Sequence, residues 1–298
     1  MFVSAAAGNA LTLNCITRLK PRPMHSPSSL PTLMSFTGCP LCGQTSLNAL
    51  RSDRCDQHPL WQLGLPQQLD WMHCPQCEHI FTKTYFTTEG LGLLFSRAHG
   101  HQVAGKDLDH ERAQWAPTVE RVVRHLPAPP WSMPNTLWLD VGCGSGGLVM
   151  TASEYGFTAI GVDARPQAVQ AITASGYRAV LGDLNSLEVS EPVQVISLAD
   201  VLEHVAFPRH ALQRVHSALR PGGILVVSCP NLDCASWRQA NIAGTNPYWS
   251  ELEHCHNFSR TSLMRLLMQE GFEPLEYSIS SRYKSCMEVV ARKVNSAS

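Results

Sequence analysis

The chain has 298 residues, a formal net charge of -1, 44% hydrophobic residues and only 16% charged ones. That is enough material for one large core and a small second unit, and too little positive charge to attract a phosphate backbone. No apolar run approaches the length needed to cross a bilayer, and eleven cysteines, four of them in two Cys-x-x-Cys pairs, suit a reducing cytoplasm and a metal site better than a disulfide framework.

Residues 1–35 are rich in Ser, Pro, Ala and Thr, show no sustained period, and place Arg18, Lys20 and Arg22 after the weakly apolar part, unlike a signal peptide. They are expected to be a disordered tail, with Met24 and Met34 as alternative starts. Cys39-Pro-Leu-Cys42-Gly43 and Cys74-Pro-Gln-Cys77 follow. Each pair forms a knuckle that aims two thiolates at one point, and together Cys39, Cys42, Cys74 and Cys77 complete a tetrahedron around a structural zinc ion. The intervening insert carries Cys55, His58 and His73 as possible substitutes. Thr88 is placed to cap a helix bearing Leu91, Leu94 and Phe95 on one face. Residues 36–105 are thus expected to form a zinc-ribbon-like domain with a linker helix. A further helix over Glu111–Leu126 and the prolines after it lead into a larger domain, residues 106–298.

That domain opens on Leu137–Val141, a short apolar run suited to a strand buried on both faces. A turn with Gly142, Gly144, Gly146 and Gly147 follows, then a helix over about Leu148–Tyr155 and a second apolar run, Phe157–Val162, ending on Asp163. A dinucleotide fingerprint reads Gly-x-Gly-x-x-Gly. Here Asp140 stands ahead of Gly142, where it would repel a pyrophosphate and suit an ammonium group, while Asp163 is placed to accept two ribose hydroxyls. Adenosine carrying a cationic amino acid and no phosphate is S-adenosylmethionine. The stretch closely resembles motif I of the class I S-adenosylmethionine-dependent methyltransferases. The resemblance implies an α/β fold, a Rossmann-like, seven-stranded, doubly wound sheet.

The alternation continues through helix Pro166–Ser175, strand Arg178–Leu181, strand Val193–Leu198, helix Pro208–Leu219 and strand Ile224–Ser228. By the same resemblance Asp183 accepts from the adenine amino group and the amide of Leu184 faces the ring. The segment Ala199-Asp200-Val201-Leu202-Glu203-His204-Val205 passes close to the methionine part of the cofactor. With the ribbon and the aromatic-threonine segment after it, the chain also resembles the zinc-binding domain fused to bacterial methyltransferases, some of which methylate carbon on nucleotide-linked deoxysugars. Their His-Glu-His motif before a Phe-Ser helix cap is matched by Glu253-His254 and Phe258-Ser259, except that Leu252 replaces the first histidine. Their C-terminal domain has no counterpart.

Residues 230–250 are polar, carry Trp237, Tyr248 and Trp249, and are expected to act as a lid over the acceptor. An oxygen or carbon acceptor must lose a proton, so His254 is the first candidate base, with Glu253 as its partner and His204 as the rival; His256 should point elsewhere. The expected function is methyl transfer to a small molecule such as a sugar or cell-surface glycan precursor. Two alternatives are an RNA methyltransferase gripping its substrate through the ribbon and a non-catalytic cofactor-binding protein. Against the first, Arg51 and Arg54 are the only Lys or Arg residues between Cys39 and Cys77, and Asp53, Asp56 and Asp70 offset them.

Overall fold

The computed structural model describes residues 32–95, 107–133 and 135–294. Most of the expected tail, residues 1–31, lies outside the described residues; its end does not behave as a tail, because Leu33–Ser35 forms the first strand. In chain order the elements are β1 (Leu33–Ser35), β2 (Asn48–Arg54), β3 (Gln68–His73), β4 (Ile80–Thr82), β5 (Thr84–Phe86), α1 (Thr88–Phe95) and α2 (Leu108–Arg124). The larger unit continues with β6 (Leu137–Val141), α3 (Gly147–Glu154), β7 (Thr158–Asp163), α4 (Pro166–Ala174), β8 (Arg178–Leu181), β9 (Val193–Ala199), α5 (Pro208–Ala218) and β10 (Leu219–Pro230). It closes with α6 (Ala235–Ala243), β11 (His256–Asn257), α7 (Arg260–Gln269), β12 (Phe272–Ile279) and β13 (Cys286–Lys293).

The main sheet has seven strands in the order β12-β13-β10-β9-β6-β7-β8. Strands β8, β7, β6, β9 and β10 run parallel, and β13 is antiparallel to both β10 and β12. The Rossmann-like, doubly wound reading therefore holds. The parallel strands are apolar along their length because helices cover both faces; β9, for example, is buried from Val193 to Leu198. The chain order jumps from β8 back across the sheet to β9, so β6 and β9 are adjacent at the switch point, where open sheets of this kind bind ligands.

Helix ends follow their local chemistry. Ser259 caps α7 through a reciprocal bond with Ser262, and Gly271, at φ 81°, stops it. Residues 230–250, which show no strong period in the sequence, contain α6, whose first turn is capped by the Cys234 thiol, and a short turn at Pro247–Trp249. Trp237 and Trp249 are buried with Trp71, Leu69 and Leu94 of the ribbon in a hydrophobic cluster of their own. Burial of three indoles outweighs the weak helical pattern of the segment.

The ribbon also does not stand apart. Its four-stranded sheet runs β11-β4-β3-β2, so the edge strand comes from the segment after β10, with His256 opposite Phe81. Cys39, Leu41, Cys74 and Phe81 share one apolar core with Phe258, Leu263 and Leu266 of the larger unit. The Arg209 and Arg265 side chains donate to the backbone carbonyls of Leu41 and Cys77, at 3.2 Å in both cases.

Candidate functional site

The four ribbon cysteines converge. The Sγ atoms of Cys39, Cys42, Cys74 and Cys77 all lie within 4.8 Å of one another, with Cys39–Cys77 and Cys42–Cys74 each at 3.5 Å. A tetrahedral zinc ion with bonds of about 2.3 Å places its sulfurs roughly 3.8 Å apart, so the set fits that metal. The two knuckles repeat one hydrogen-bond pattern: Gly43 N donates to Cys39 O and Glu78 N to Cys74 O, both at 2.8 Å. Gly43 and Glu78 both adopt positive φ, 77° and 61°. Donation from the Cys39 thiol, which outweighs the cost of burial, pulls Cys77 down to about 5, favouring a thiolate in the cluster. Cys55 is buried and donates to Pro66 O at 3.2 Å, and His58 pairs with Glu251 at 2.8 Å, so neither joins the thiol cluster.

The second centre lies at the carboxyl ends of β6, β7, β9 and β10. Gly142 and Gly146 hold φ at 74° and 84°, and a Cβ on Gly142 would meet Val201 at 2.6 Å, so the turn requires glycine there. Gly144 N donates to Asp163 Oδ2 at 3.0 Å, fixing the carboxylate against the turn. That carboxylate also receives the backbone and guanidinium of Arg165, so its polar environment is filled by a cation that sequence reasoning missed. Asp140 is 3% exposed and accepts from Ser197 Oγ at 2.6 Å, tying β6 to β9 beneath the turn. Its burial, opposed by Ser197, raises its pKa to about 7. Asp183 Oδ1 accepts from the backbone and hydroxyl of Ser186, a local turn beyond β8, with Leu184 buried beside it. Ala199 ends β9, and Asp200 follows at φ 57°.

On the far side of this edge stand the histidines. His204 and His254 meet edge to face with ring centres 4.7 Å apart. His204 Nδ1–H donates to Glu253 O at 2.9 Å. His254 has a solvent-shielded Nδ1 with no hydrogen-bond partner, and burial, reinforced by His204, holds its pKa well below the ordinary value. Glu203 is 1% exposed, and burial, then Asp200, raises its pKa well above the usual carboxylate range. The three side chains of Glu203, His204 and His254 come within 4.8 Å of one another. His204, Glu253 and His254 line a small cavity walled on the other side by the ribbon residues Leu69, Thr84 and Phe86. Its volume is about 30 Å³, room for about one water, so an acceptor would enter only if ribbon and loop part.

His256 does point elsewhere. Its Nε2 donates to Val205 O at 2.9 Å and its Nδ1 lies 3.0 Å from His79 Nε2, making it a buried link between ribbon and core. The sequence also gave no sign of Glu111, Trp115 and Arg282, which face the glycine turn from α2 and from the loop between β12 and β13.

A fold of this topology with this glycine turn defines a class I S-adenosylmethionine-dependent methyltransferase. Residues 108–277, more than half of the 298, match the family described as "Methyltransferase domain", and the chain belongs to it. The ubiquinone biosynthesis O-methyltransferase of Ruegeria pomeroyi is 31% identical over 151 residues, 46% of this chain and 60% of that protein. Its counterpart in Caulobacter sp. strain K31 is 32% identical over 101 residues, 31% of this chain and 40% of the relative. The chain therefore spans 60% or less of the length of these curated relatives. Among solved structures, a 1,6-didemethyltoxoflavin-N1-methyltransferase from Burkholderia thailandensis, with bound 1,6-didemethyltoxoflavin and S-adenosylhomocysteine, superposes with a TM-score of 0.51 at 19% identity, covering 75% of this chain and 99% of that one. A chain from the complex of the Haloferax volcanii Trm112 methyltransferase activator with a methyltransferase reaches 0.53 at 15% identity, covering 68% and 97%. At such identities the superpositions speak for the fold alone. Among the described residues no helix is long and apolar enough to cross a membrane.

Proposed function

We propose that this chain transfers a methyl group from S-adenosylmethionine to a hydroxyl of a small molecule bound between ribbon and core. The observation that carries the reading is the pair His204–His254, set at the carboxyl edge of the sheet that also holds the glycine turn. Bound cofactor supplies an activated methyl on a sulfonium, so the residues of the chain have to orient the acceptor and accept its proton. Asp163 holds the ribose hydroxyls once Arg165 shares or yields its carboxylate. Asp183 and Leu184 flank the adenine, and Ala199 borders the methionine part.

His254 is the base. Burial keeps its imidazole neutral at ordinary pH, and Nδ1 has no partner inside the protein. His204, its tautomer fixed by the Glu253 carbonyl, orients the acceptor through Nε2. The Glu253 side chain, at the rim of the same cavity, is the second acid or the partner of His254. Leu69, Phe86, Leu91 and Leu252 make the wall largely apolar, which suits an acceptor with an aromatic or aliphatic body better than a bare sugar. The ribbon holds zinc structurally, since four thiolates leave no open position for chemistry, and shapes that wall. The test is to incubate zinc-loaded protein with methyl-labelled cofactor and a total cell extract containing both small molecules and RNA, and to separate the products by size. Label in a low-mass product supports the reading; label only in RNA supports the alternative in which the ribbon grips nucleic acid.

A further inference from the structure

Two buried polar atoms above the glycine turn are left without partners. The Glu111 carboxylate, carried by α2, accepts from Ser145 Oγ at 2.8 Å through Oε1, while its buried Oε2 has no hydrogen-bond partner. A Cβ built on Gly147 would lie 2.3 Å from that Oε2 and 2.9 Å from Trp115 Nε1, so both side chains sit directly over the start of α3. Arg282 reaches the same place from the loop between β12 and β13. Its guanidinium lies 3.9 Å from the centre of the Trp115 ring, pairs with Asp200 at 2.8 Å and donates to Ser228 Oγ at 2.8 Å. Its Nε–H is buried and donates to nothing.

Unpaired buried polar atoms are costly and rare, and two of opposite character around one indole call for a ligand that satisfies both. The position narrows the choice, because it borders the ends of β6, β9 and β10, where a cofactor's amino-acid end would lie if its ribose is at Asp163. Asp140 is poorly placed to make direct contact with an ammonium, since it is sealed under the turn and committed to Ser197. α2 is held in place by Arg121 and Thr118, both bonded to Glu288 of β13 in the protein interior. The cradle is therefore preorganised on two sides.

We propose that Glu111 and Arg282 form a receptor for a zwitterionic α-amino acid, Glu111 Oε2 accepting from the ammonium and Arg282 Nε donating to the carboxylate of the cofactor's methionine. The assignment rests on the cofactor reading above, and Trp115 serves as the partition that keeps the two charged groups apart. Consistent with one shared field, Arg282 lowers the proton affinity of both Glu111 and Asp140, though burial dominates and raises both.

The probes are S-adenosylhomocysteine, which has the amino acid, and 5′-methylthioadenosine, which keeps the nucleoside and thioether but lacks it. Titration calorimetry on the full zinc-loaded chain compares wild type with Arg282→Met and Glu111→Gln. Each substitution is expected to weaken S-adenosylhomocysteine on the order of 10- to 100-fold, as loss of one charged hydrogen bond implies, and to leave 5′-methylthioadenosine within twofold. Unchanged binding of 5′-methylthioadenosine also shows that the variant is folded. Equal weakening of both probes would make the residues mere braces of α2 and overturn the assignment, as would no change in either. If the wild type binds neither probe, the cofactor reading itself fails, and the receptor with it.

Discussion

The two halves of the site are built on different principles. The cofactor side is centred on one stretch of chain, residues 137–163, whose turn, carboxylates and strand ends are fixed by local sequence, with a few residues from other elements added around it. The proposed acceptor side is assembled from pieces far apart: β4 and β5 of the ribbon, the segment after β9, and the residues around β11. A local motif advertises itself, whereas an assembled pocket exists only once β11 has joined the ribbon sheet. The first half should therefore survive damage to the ribbon, and the second should not.

Removing the metal tests that contrast hardest. The protein is expected to hold about one zinc ion per chain. Cys39→Ser should release it, and apparent binding free energies of about 10–16 kcal/mol for four-ligand structural sites mean that the ribbon unfolds with its loss. Hydrogen exchange should then rise through β3, β4 and β11 while β6, β7 and β9 keep their protection. The cofactor should bind as before. Uniform loss of protection would show instead that ribbon and core fold as one unit.

The next largest effect is on turnover. His254→Ala should reduce it roughly 100- to 10,000-fold, the range for loss of a general base, with cofactor affinity intact. Glu253→Gln should cost less if that carboxylate only assists. Near-normal turnover in His254→Ala together with a dead His204→Ala would hand the proton to the segment after β9.

On the cofactor side, Asp163→Ala should weaken S-adenosylmethionine by about 2 to 4 kcal/mol, since charged hydrogen bonds contribute roughly 1.5 to 3 kcal/mol each and do not fully add. The variant also frees Arg165, so Arg165→Ala is the control. That substitution removes a competitor for the carboxylate and should leave affinity equal or slightly improved. Affinity unchanged in Asp163→Ala would remove the ribose from this residue.

The smallest effect is a pH dependence at the junction. Burial pushes His256 down to about 4, against bonds to backbone carbonyls that favour its charged form. The unfolded chain takes up this proton near 6.5, the folded chain only near 4. The stability that the neutral ring contributes is thus fully present above pH 6.5 and is lost as pH falls from there towards 4. His256→Leu should flatten the fall in urea midpoint across that window relative to wild type. Parallel curves for the two proteins would place the acid sensitivity elsewhere.

Much of this fold could be read from residues in sequence order. The glycine turn, the apolar parallel strands and the Ser259 cap are local signals, and the structure has each within a residue or two of its expected place except β10, which begins at Leu219 rather than Ile224. The paired knuckles were equally plain. What escaped was non-local or chemically unusual. β11 is two residues long and pairs with a strand about 175 residues earlier, so no periodicity marks it. α6 is capped by a thiol, which is not a usual cap, and its stability comes from Trp237 and Trp249 reaching Trp71 of the ribbon, far away in sequence. Glu111 and Arg282 lie outside every motif and meet only across the indole of Trp115. Arg165, two residues past Asp163, could have been suspected as its ion-pair partner.

The most direct test follows the methyl group itself. Zinc-loaded wild-type protein, labelled cofactor and a total cell extract should yield one labelled low-mass product, absent with His254→Ala, and the label should survive conditions that hydrolyse esters, as expected of an ether-linked methyl. Tight cofactor binding without transfer to any small molecule, or label confined to nucleic acid, would contradict the account.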